Sequence, residues 1–460
     1  NRFSSMIDKF FNPKNVAIVG ASANKKKLGN NILVNFKKNF KGKVYPVNIK
    51  EKEIEGLRCY GSVKDIKEKI DLAVIVVPAK IANMVVNECG EIGVRAVIII
   101  SAGYRESGSD GIILENQLKA IIKKDNVRVI GPNCIGVLDI YSGVDTIFSP
   151  YERMERPKEG SISVISQSGS FGTALIDWCA EHKIGINRFV SFGNRVDVGE
   201  CDLVEFFSKD RKTNLIILYI EGPKNGRELM NVLKKTTRKK PVIVLKAGKS
   251  DKGAAAAASH TGSLAGSYKI FSSAMKQCGA TEARTLDELF DFTKVLSKLA
   301  PAKGKRVAII TNGGGYGVLS ADACIYGGLE LAELSHKSVT AIKKAMPEFA
   351  GVHNPLDLIG DATEERFRVA LENCIKDKNV DIVIVFIWAL GTTLDSGVTE
   401  TIINIARKSK KPVICGGVGS DYTKDTLLML ENAGIPTFPT PWRAMKAAKI
   451  LYDYGKIRKL

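Results

Sequence analysis

Long apolar runs are missing from this 460-residue sequence. The longest, residues 72–77 and 382–390, fall well short of the roughly 20 residues that cross a bilayer, so no transmembrane helix is expected. Cys-x-x-Cys pairs are missing too. The nine cysteines (Cys59, Cys89, Cys134, Cys179, Cys201, Cys278, Cys324, Cys374 and Cys415) are odd in number and scattered, which reads as a reduced, cytoplasmic chain without a disulfide framework or a metal site. The stretch Asn1 to Asp8 has no basic region followed by an apolar one, so no export signal is expected. Acidic residues are in short supply, 49 against 68 lysines and arginines, for a formal charge of +19. The lysines run along the whole chain without interleaved aromatics, which argues against nucleic-acid binding. A solvated basic surface is the plain reading, and a polyanionic small ligand or an acidic partner is the functional one.

What is present is an ordinary globular composition, 45% hydrophobic and 25% charged. At about 150 residues per domain, 460 residues suggest about three domains. Short β-branched runs alternate with longer amphipathic stretches, the pattern of βα units around parallel sheets, so the fold class is α/β. Strands are expected at 16–19, 44–47, 72–77, 96–100 and 127–130, then at 162–165, 188–192, 215–220 and 241–245. A third series follows at 306–311, 329–331, 381–388 and 412–415. The polar, Pro-bearing stretch 149–158 reads as a linker and 300–305 precedes the third series, which places the domains at 1–148, 149–300 and 301–460.

The first strand runs into Gly20-Ala21-Ser22, a small-residue turn before a helix, where backbone N–H groups and a helix N-terminus would receive a phosphate. It is not a complete Gly-x-Gly-x-x-Gly. Lys50 stands after the second strand, where a dinucleotide-binding domain would carry an acid for the ribose hydroxyl; a lysine suits a phosphorylated nucleotide such as coenzyme A. Val77-Pro78, Gly103 and Asn133 follow later strands of the same series. Loops at the carboxyl ends of parallel strands converge on one edge, where these residues form a ligand site or simply punctuate turns.

Residues 166–172, Ser166-Gln167-Ser168-Gly169-Ser170-Phe171-Gly172, place a Ser/Gly-rich turn between a strand and a helix expected to begin near Thr173. Backbone donors and hydroxyls there make an anion nest. The Gly-x-Ser-x-Gly spacing of a hydrolase elbow is absent. His260 lies in residues 253–266, a stretch built almost wholly from small residues and expected to be a flexible loop. Such a loop would let an imidazole approach a phosphate or travel between sites. His182, His336 and His353 sit in helical or turn contexts and read as ordinary polar residues. Glu221 follows the strand 215–220 directly, at the edge of the same sheet as the nest. A carboxylate there could accept an imidazole Nδ1–H and fix its tautomer, or serve only as a charge at a helix N-terminus. Gly313-Gly314-Gly315-Tyr316-Gly317 is a third strand-to-helix glycine turn; it lacks the Gly-Lys-Ser/Thr ending of a P-loop.

Together these residues give the chain a resemblance, over essentially its whole length, to the α subunits of ADP-forming (NDP-forming) acyl-CoA synthetases, relatives of succinyl-CoA synthetase. Ser259-His260-Thr261-Gly262-Ser263-Leu264-Ala265-Gly266 is the specific signature, supported by Thr311 to Gly317 and by Asn354-Pro355-Leu356-Asp357-Leu358. The resemblance implies an N-terminal Rossmann-like CoA-binding domain followed by two flavodoxin-like parallel-sheet domains. It implies coenzyme A held by Gly20, Ala21, Ser22, Lys50, Val77, Pro78, Gly103 and Asn133. Phosphate would lie on Ser166, Gln167, Ser168, Gly169 and Gly172, with Gly313, Gly314 and Gly315 helping to hold the acyl group or its phosphate. His260 would be phosphorylated and steadied by Glu221.

The implied reaction converts acyl-CoA, phosphate and ADP into a carboxylic acid, CoA and ATP through an acyl phosphate and a phosphohistidine, with acetate or a related small acid as substrate. The nucleotide, with Mg²⁺, would sit in an ATP-grasp module, either a β subunit in an α2β2 assembly or a fused domain; no further ATP-grasp-like domain is recognised in these 460 residues. No nucleic-acid or membrane partner is expected. Two other classes remain open at this level. A CoA-binding module without turnover, or the CoA-binding part of a protein acetyltransferase, would not need a phosphorylatable imidazole. An NAD-dependent oxidoreductase is disfavoured by Lys50.

Overall fold

The computed structural model describes the backbone of residues 6–261, 266–391, 394 and 396–459, and their side chains except those of 257–261, 396 and 459. The chain divides into two compact units, Asn1–Arg284 and Thr285–Leu460.

The first unit holds two large sheets. Its strands begin with Asn15–Val19 (β1), Lys43–Val47 (β2), the small hairpin Glu53–Ile54 (β3) and Leu57–Arg58 (β4), Leu72–Ile75 (β5), Ala96–Ile99 (β6) and Arg128–Ile130 (β7). Five of these form a parallel sheet in the order β2-β1-β5-β6-β7. β5 and β6 are buried at every position, as strands covered on both faces must be, and their all-apolar sequences follow from that. The second sheet takes Gly136–Asp139 (β8), Glu159–Ser166 (β9), Ile186–Ser191 (β10), Leu215–Ile220 (β11), Val242–Lys246 (β12) and Thr281–Ala283 (β13), in the order β13-β12-β11-β9-β10-β8. Only β8 runs antiparallel, on the edge beside β10. Ile18 and Ile98 of the first sheet share one apolar cluster with Ile165, Val190 and Ile216 of the second and with Phe10 and Phe11. Each such side chain contributes roughly 1.5–3 kcal/mol by leaving water, which is what joins two sheets into one unit.

The second unit carries Arg306–Thr311 (β14), Glu330–Leu331 (β15), Leu356–Asp357 (β16), Ile382–Phe386 (β17), Val413–Gly416 (β18) and Thr437–Phe438 (β19), ordered β15-β14-β17-β18-β19 with β16 on β14. In all three sheets the first strand of the βα series is internal, the second lies to one side and the later strands to the other, except that the two-residue β16 joins β14 on the β15 side. Strand order therefore reverses between β1 and β5, between β9 and β11, and between β14 and β17. At such a switch point the connections leave in opposite directions and open a crevice beyond the carboxyl ends.

Several details cross the boundaries read from the sequence. β8 precedes residue 148 yet belongs to the second sheet. The helix Leu286–Lys298 belongs to the second unit, where Arg443 Nε and Nη2 each lie 2.7 Å from the Asp291 carboxylate. The stretch 149–158 is no loose linker: Arg156 Nε lies 2.9 Å from Asp145, both side chains are buried, and the guanidinium also donates to the carbonyl oxygens of Met154, Ile147 and Ser149. Proline and polarity signal a loop; they do not reveal what the loop is fastened to.

Candidate active site

The switch point of the first sheet opens into a cavity of about 810 Å³. Its wall is built by Gly20, Ser22, Lys26 and Lys27 after β1, by Val77 and Pro78 after β5, by Asn133 after β7, and by Gln167, Ser168, Gly169 and Ser170 of the second sheet. Gly20 is dictated by geometry: its φ is +91°, and a Cβ would stand 2.8 Å from the Val76 carbonyl oxygen. The turn is braced by Asn48, whose Nδ2 donates to the Ala21 carbonyl oxygen at 2.8 Å. On the opposite wall, Asn133 Nδ2 donates to Asn194 Oδ1 at 3.3 Å, and Asn194 Nδ2 donates to Glu106 Oε2 at 2.6 Å. Glu106 also accepts the backbone N–H groups of Gly103 and Tyr104. Burial alone would raise its pKa, but these donors outweigh burial and hold the carboxyl below its ordinary value.

Of the residues expected around coenzyme A, Gly20, Ser22, Val77, Pro78 and Asn133 line the cavity. Ala21 is buried and accepts from Asn48, Gly103 donates to Glu106, and Lys50 is exposed; none of the three lines the wall. The cations that do line it, Lys26 and Lys27, belong to the turn leading into the helix Leu28–Asn39. The run Lys25-Lys26-Lys27 just before that helix is the sequence signal that points to them.

The second switch point lies against the same cavity. Ser168 caps the helix Gly169–Glu181, its Oγ accepting the Phe171 N–H at 3.4 Å. The helix therefore starts at Gly169 rather than near Thr173, and Gly169 to Gly172 form its first turn. Gln167, Ser168 and Gly169 face the cavity, while Ser166 and Gly172 are buried outside its wall. Ser166 Oγ donates to the Ser168 carbonyl oxygen at 2.6 Å, and a Cβ on Gly172 would press within 2.5 Å of the Phe189 ring. Across the switch point, Glu221 N–H donates to Gln167 Oε1 at 2.9 Å. The Glu221 side chain is 7% exposed. Two cations that the sequence reading passed over hold its loop: Lys246 Nζ donates to the Glu221 carbonyl oxygen at 2.7 Å and Arg195 Nη1 to that of Gly222 at 2.8 Å. Neither spacing nor motif marks them.

The expected flexible loop around His260 is a helix, Asp251–Thr261, lying beside the turn Arg105–Ser107. Five successive alanines, Ala254 to Ala258, are the strongest helix formers available, and propensity prevails over the looseness that small size suggests. The backbone of His260 is helical; its side chain, and all of Gly262 to Ala265, lie outside the described residues.

At the third switch point, a cleft of about 540 Å³ is lined by Asn312, Gly313, Gly314, Gly315, Tyr316, Leu319, Gly360 and Trp388. The helix Gly314–Tyr326 begins on Gly313. Asn312 Nδ2 donates to the Trp388 carbonyl oxygen at 2.9 Å and Asn312 Oδ1 accepts the Trp388 N–H at 2.8 Å, which ties the two sides together. Among the described residues no group of three or more His, Cys, Asp or Glu could hold a metal ion, and no helix is long and apolar enough to cross a membrane.

Three family models match in order: a CoA binding domain over residues 14–139, a succinyl-CoA ligase like flavodoxin domain over 159–296 and a Ligase-CoA domain over 307–450. The acetate–CoA ligase [ADP-forming] II subunit alpha of Pyrococcus furiosus is 41% identical over 456 residues, 98% of this chain and 98% of its own length. The longer acetate–CoA ligase [ADP-forming] I of Archaeoglobus fulgidus is 40% identical over 98% of this chain, which spans 64% of that relative's length. Among solved structures, acetyl-coenzyme A synthetase 1 of Candidatus Korarchaeum cryptofilum, in complex with phosphate and ADP, superposes with a TM-score of 0.92 at 37% identity, covering 98% of this chain and 97% of that one. The chain belongs to the family of ADP-forming acetate–CoA ligase α subunits.

Proposed function

We propose that this chain is the thioester-and-phosphate half of an ADP-forming acyl-CoA ligase acting on acetate or a related small acid. The observation that carries the reading is that one cavity is walled both by the Gly20 turn with Lys26 and Lys27 and by the Ser168 helix N-terminus, so a phosphorylated thioester and an anion can meet in it. In this reading Lys26 and Lys27 balance the phosphates of coenzyme A, and the turns after β1, β5 and β7 hold its body. Phosphate rests on the N–H groups after Gln167 and attacks the thioester carbonyl carbon. The C–S bond breaks, CoA leaves as the thiol with a proton from phosphate, and an acyl phosphate remains. His260 then attacks phosphorus, the P–O bond to the acyl group breaks, and the carboxylate departs. Splitting one transfer into two is the usual gain from covalent catalysis, and positioned backbone donors are what phosphoryl transfer needs.

Glu221 would accept the imidazole Nδ1–H and leave Nε2 as the nucleophile. We assign the glycine cleft of Gly313 to Gly315 to binding of an acyl group or its phosphate. By function we assign residues 1–148 to CoA binding, 149–300 to phosphate and phosphohistidine, and 301–460 to the CoA-ligase-like domain. The phosphoryl group would pass to ADP, bound with Mg²⁺ on an ATP-grasp β subunit in an α2β2 assembly or on a fused equivalent, in the cytoplasm.

Incubation with acetyl-CoA and radiolabelled inorganic phosphate should leave an acid-labile, base-stable phosphoryl group on the chain. His260→Ala should abolish that label, and turnover with the partner, while acetyl-CoA affinity stays unchanged. A native chain that takes no label, or a His260→Ala chain that keeps it, defeats the reading.

A further inference from the structure

Lys246 ends β12 with 2% of its surface exposed, the one lysine among the described residues buried to that degree. Its Nζ donates to the carbonyl oxygens of Glu221 at 2.7 Å and Ala247 at 2.8 Å and lies 5.6 Å from the centre of the Phe271 ring. The neighbouring buried cation, Arg195, is paired with Glu200 at 3.1 Å. Lys246 makes no salt bridge among the described residues, and a buried ammonium without an ionic partner is costly. A neutral amide could serve the same two carbonyls, so the positive charge itself is what needs a reason.

Its place supplies one. Register puts Tyr219 beside Ser166 and Ile220 beside Lys246, so Lys246 is separated from the phosphate nest by the single strand that delivers Glu221. The loop leaving Lys246 leads directly into the helix that carries His260. The charged groups acting on the ammonium are Glu221, which favours it, and Lys249, which opposes it together with burial. On the phosphohistidine reading, transfer would bring a group of about −1.5 to −2 charges to an edge that already holds one carboxylate.

We propose that Lys246 is the counter-charge of the phosphohistidine site, a positioning residue whose buried ammonium lets Glu221 and a phosphorylated His260 share one sheet edge. This rests on the phosphohistidine reading above. The labelling assay with acetyl-CoA and radiolabelled phosphate tests it in the full chain. Lys246→Gln keeps an amide donor and removes the charge; labelling should slow at least tenfold while acetyl-CoA affinity moves less than twofold. In the native chain, the ¹³C-lysine spectrum should show the apparent pKa of Lys246 rising on phosphorylation, a response that a purely structural lysine would not give. Native-rate labelling of Lys246→Gln overturns the proposal, and so does a Lys246 titration indifferent to phosphorylation. If Lys246→Gln does not fold, the native titration decides alone. A native chain that takes no label defeats the phosphohistidine reading and this inference with it, whereas a labelled native chain with an equally labelled variant defeats only the inference.

Discussion

The second and third sheets solve the same topological problem with different side chains. Each has a central strand, β9 or β14, that runs into a small-residue turn and a helix, and each ties that turn to the next strand through an amide side chain. In the second sheet Gln167 makes one bond across the switch point, to the N–H of Glu221, and leaves the rest of the edge to buried charges. In the third, Asn312 makes two bonds to Trp388, and the edge combines glycines and aromatic rings, with Tyr316 packed 5.0 Å from Phe386, and a single carboxylate, Asp357, beside Gly314. The comparison teaches that the switch point gives a crevice and nothing more. Chemistry comes from which residues stand at its rim: the third has a carboxylate too, Asp357 beside Gly314, but among the described residues it is the second that adds a buried ammonium and a histidine-bearing helix to its carboxylate.

The largest test of that contrast is Glu221→Gln. Labelling from acetyl-CoA and phosphate should fall at least about tenfold, roughly 1.4 kcal/mol of barrier, with acetyl-CoA affinity preserved. Labelling at the native rate would make the second edge as inert as the third. A second test concerns structure. Asn312→Ala breaks two part-buried bonds and should cost its unit about 2–3 kcal/mol, whereas Gln167→Ala breaks one and should cost about 1 kcal/mol. Calorimetry that reversed this order would mean that the tie matters more at the charged edge.

The smallest difference lies in the acid limb of stability. Glu106 in the first unit and Asp381 in the second are both raised by burial and lowered further by their donors, which for Asp381 are Arg306 and its backbone N–H, so both end below their ordinary values. A depressed folded pKa contributes stability that is present above the unfolded value and is lost as pH falls through the folded one. Glu106→Gln should therefore flatten the loss of stability below about pH 4 in the first unit and Asp381→Asn in the second, as read from unfolding midpoints against pH. An unchanged acid limb in either variant would show that its hydrogen bonds do not hold the carboxyl low.

The fold was largely legible because its signals are local. β-branched runs such as Leu72–Ile75 and Ile382–Phe386 are parallel strands because only strands covered on both faces tolerate such continuous apolarity. The glycine turns after β1, β9 and β14 announce themselves in the same way. Local signals misled where two of them competed: the alanines before His260 are small, which suggested a loop, and strongly helix-forming, which decided for a helix. At the candidate site, Gly20, Pro78, Asn133 and Ser168 are legible as strand-end residues; Lys26 and Lys27 are not, because it is the path of the turn from Gly20 to Leu28 that brings them to the cavity wall, which Lys50 does not line.

By itself the sequence determined the α/β class, the three series of strands, the small-residue turns that end their central strands and the histidine signature, since each depends on residues within a few positions of one another. Only the tertiary structure decided that β8 leaves the first sheet for the second, that Arg156 fastens the supposed linker to Asp145, that Gln167 meets Glu221, and that Lys246 stands buried behind it. Those contacts join residues between 11 and 54 positions apart in the hydrogen-bonded cases, and no periodicity or spacing encodes a partner at such a distance. They are fixed when sheets pack, because a buried donor or acceptor must find whatever partner the closed core brings within reach.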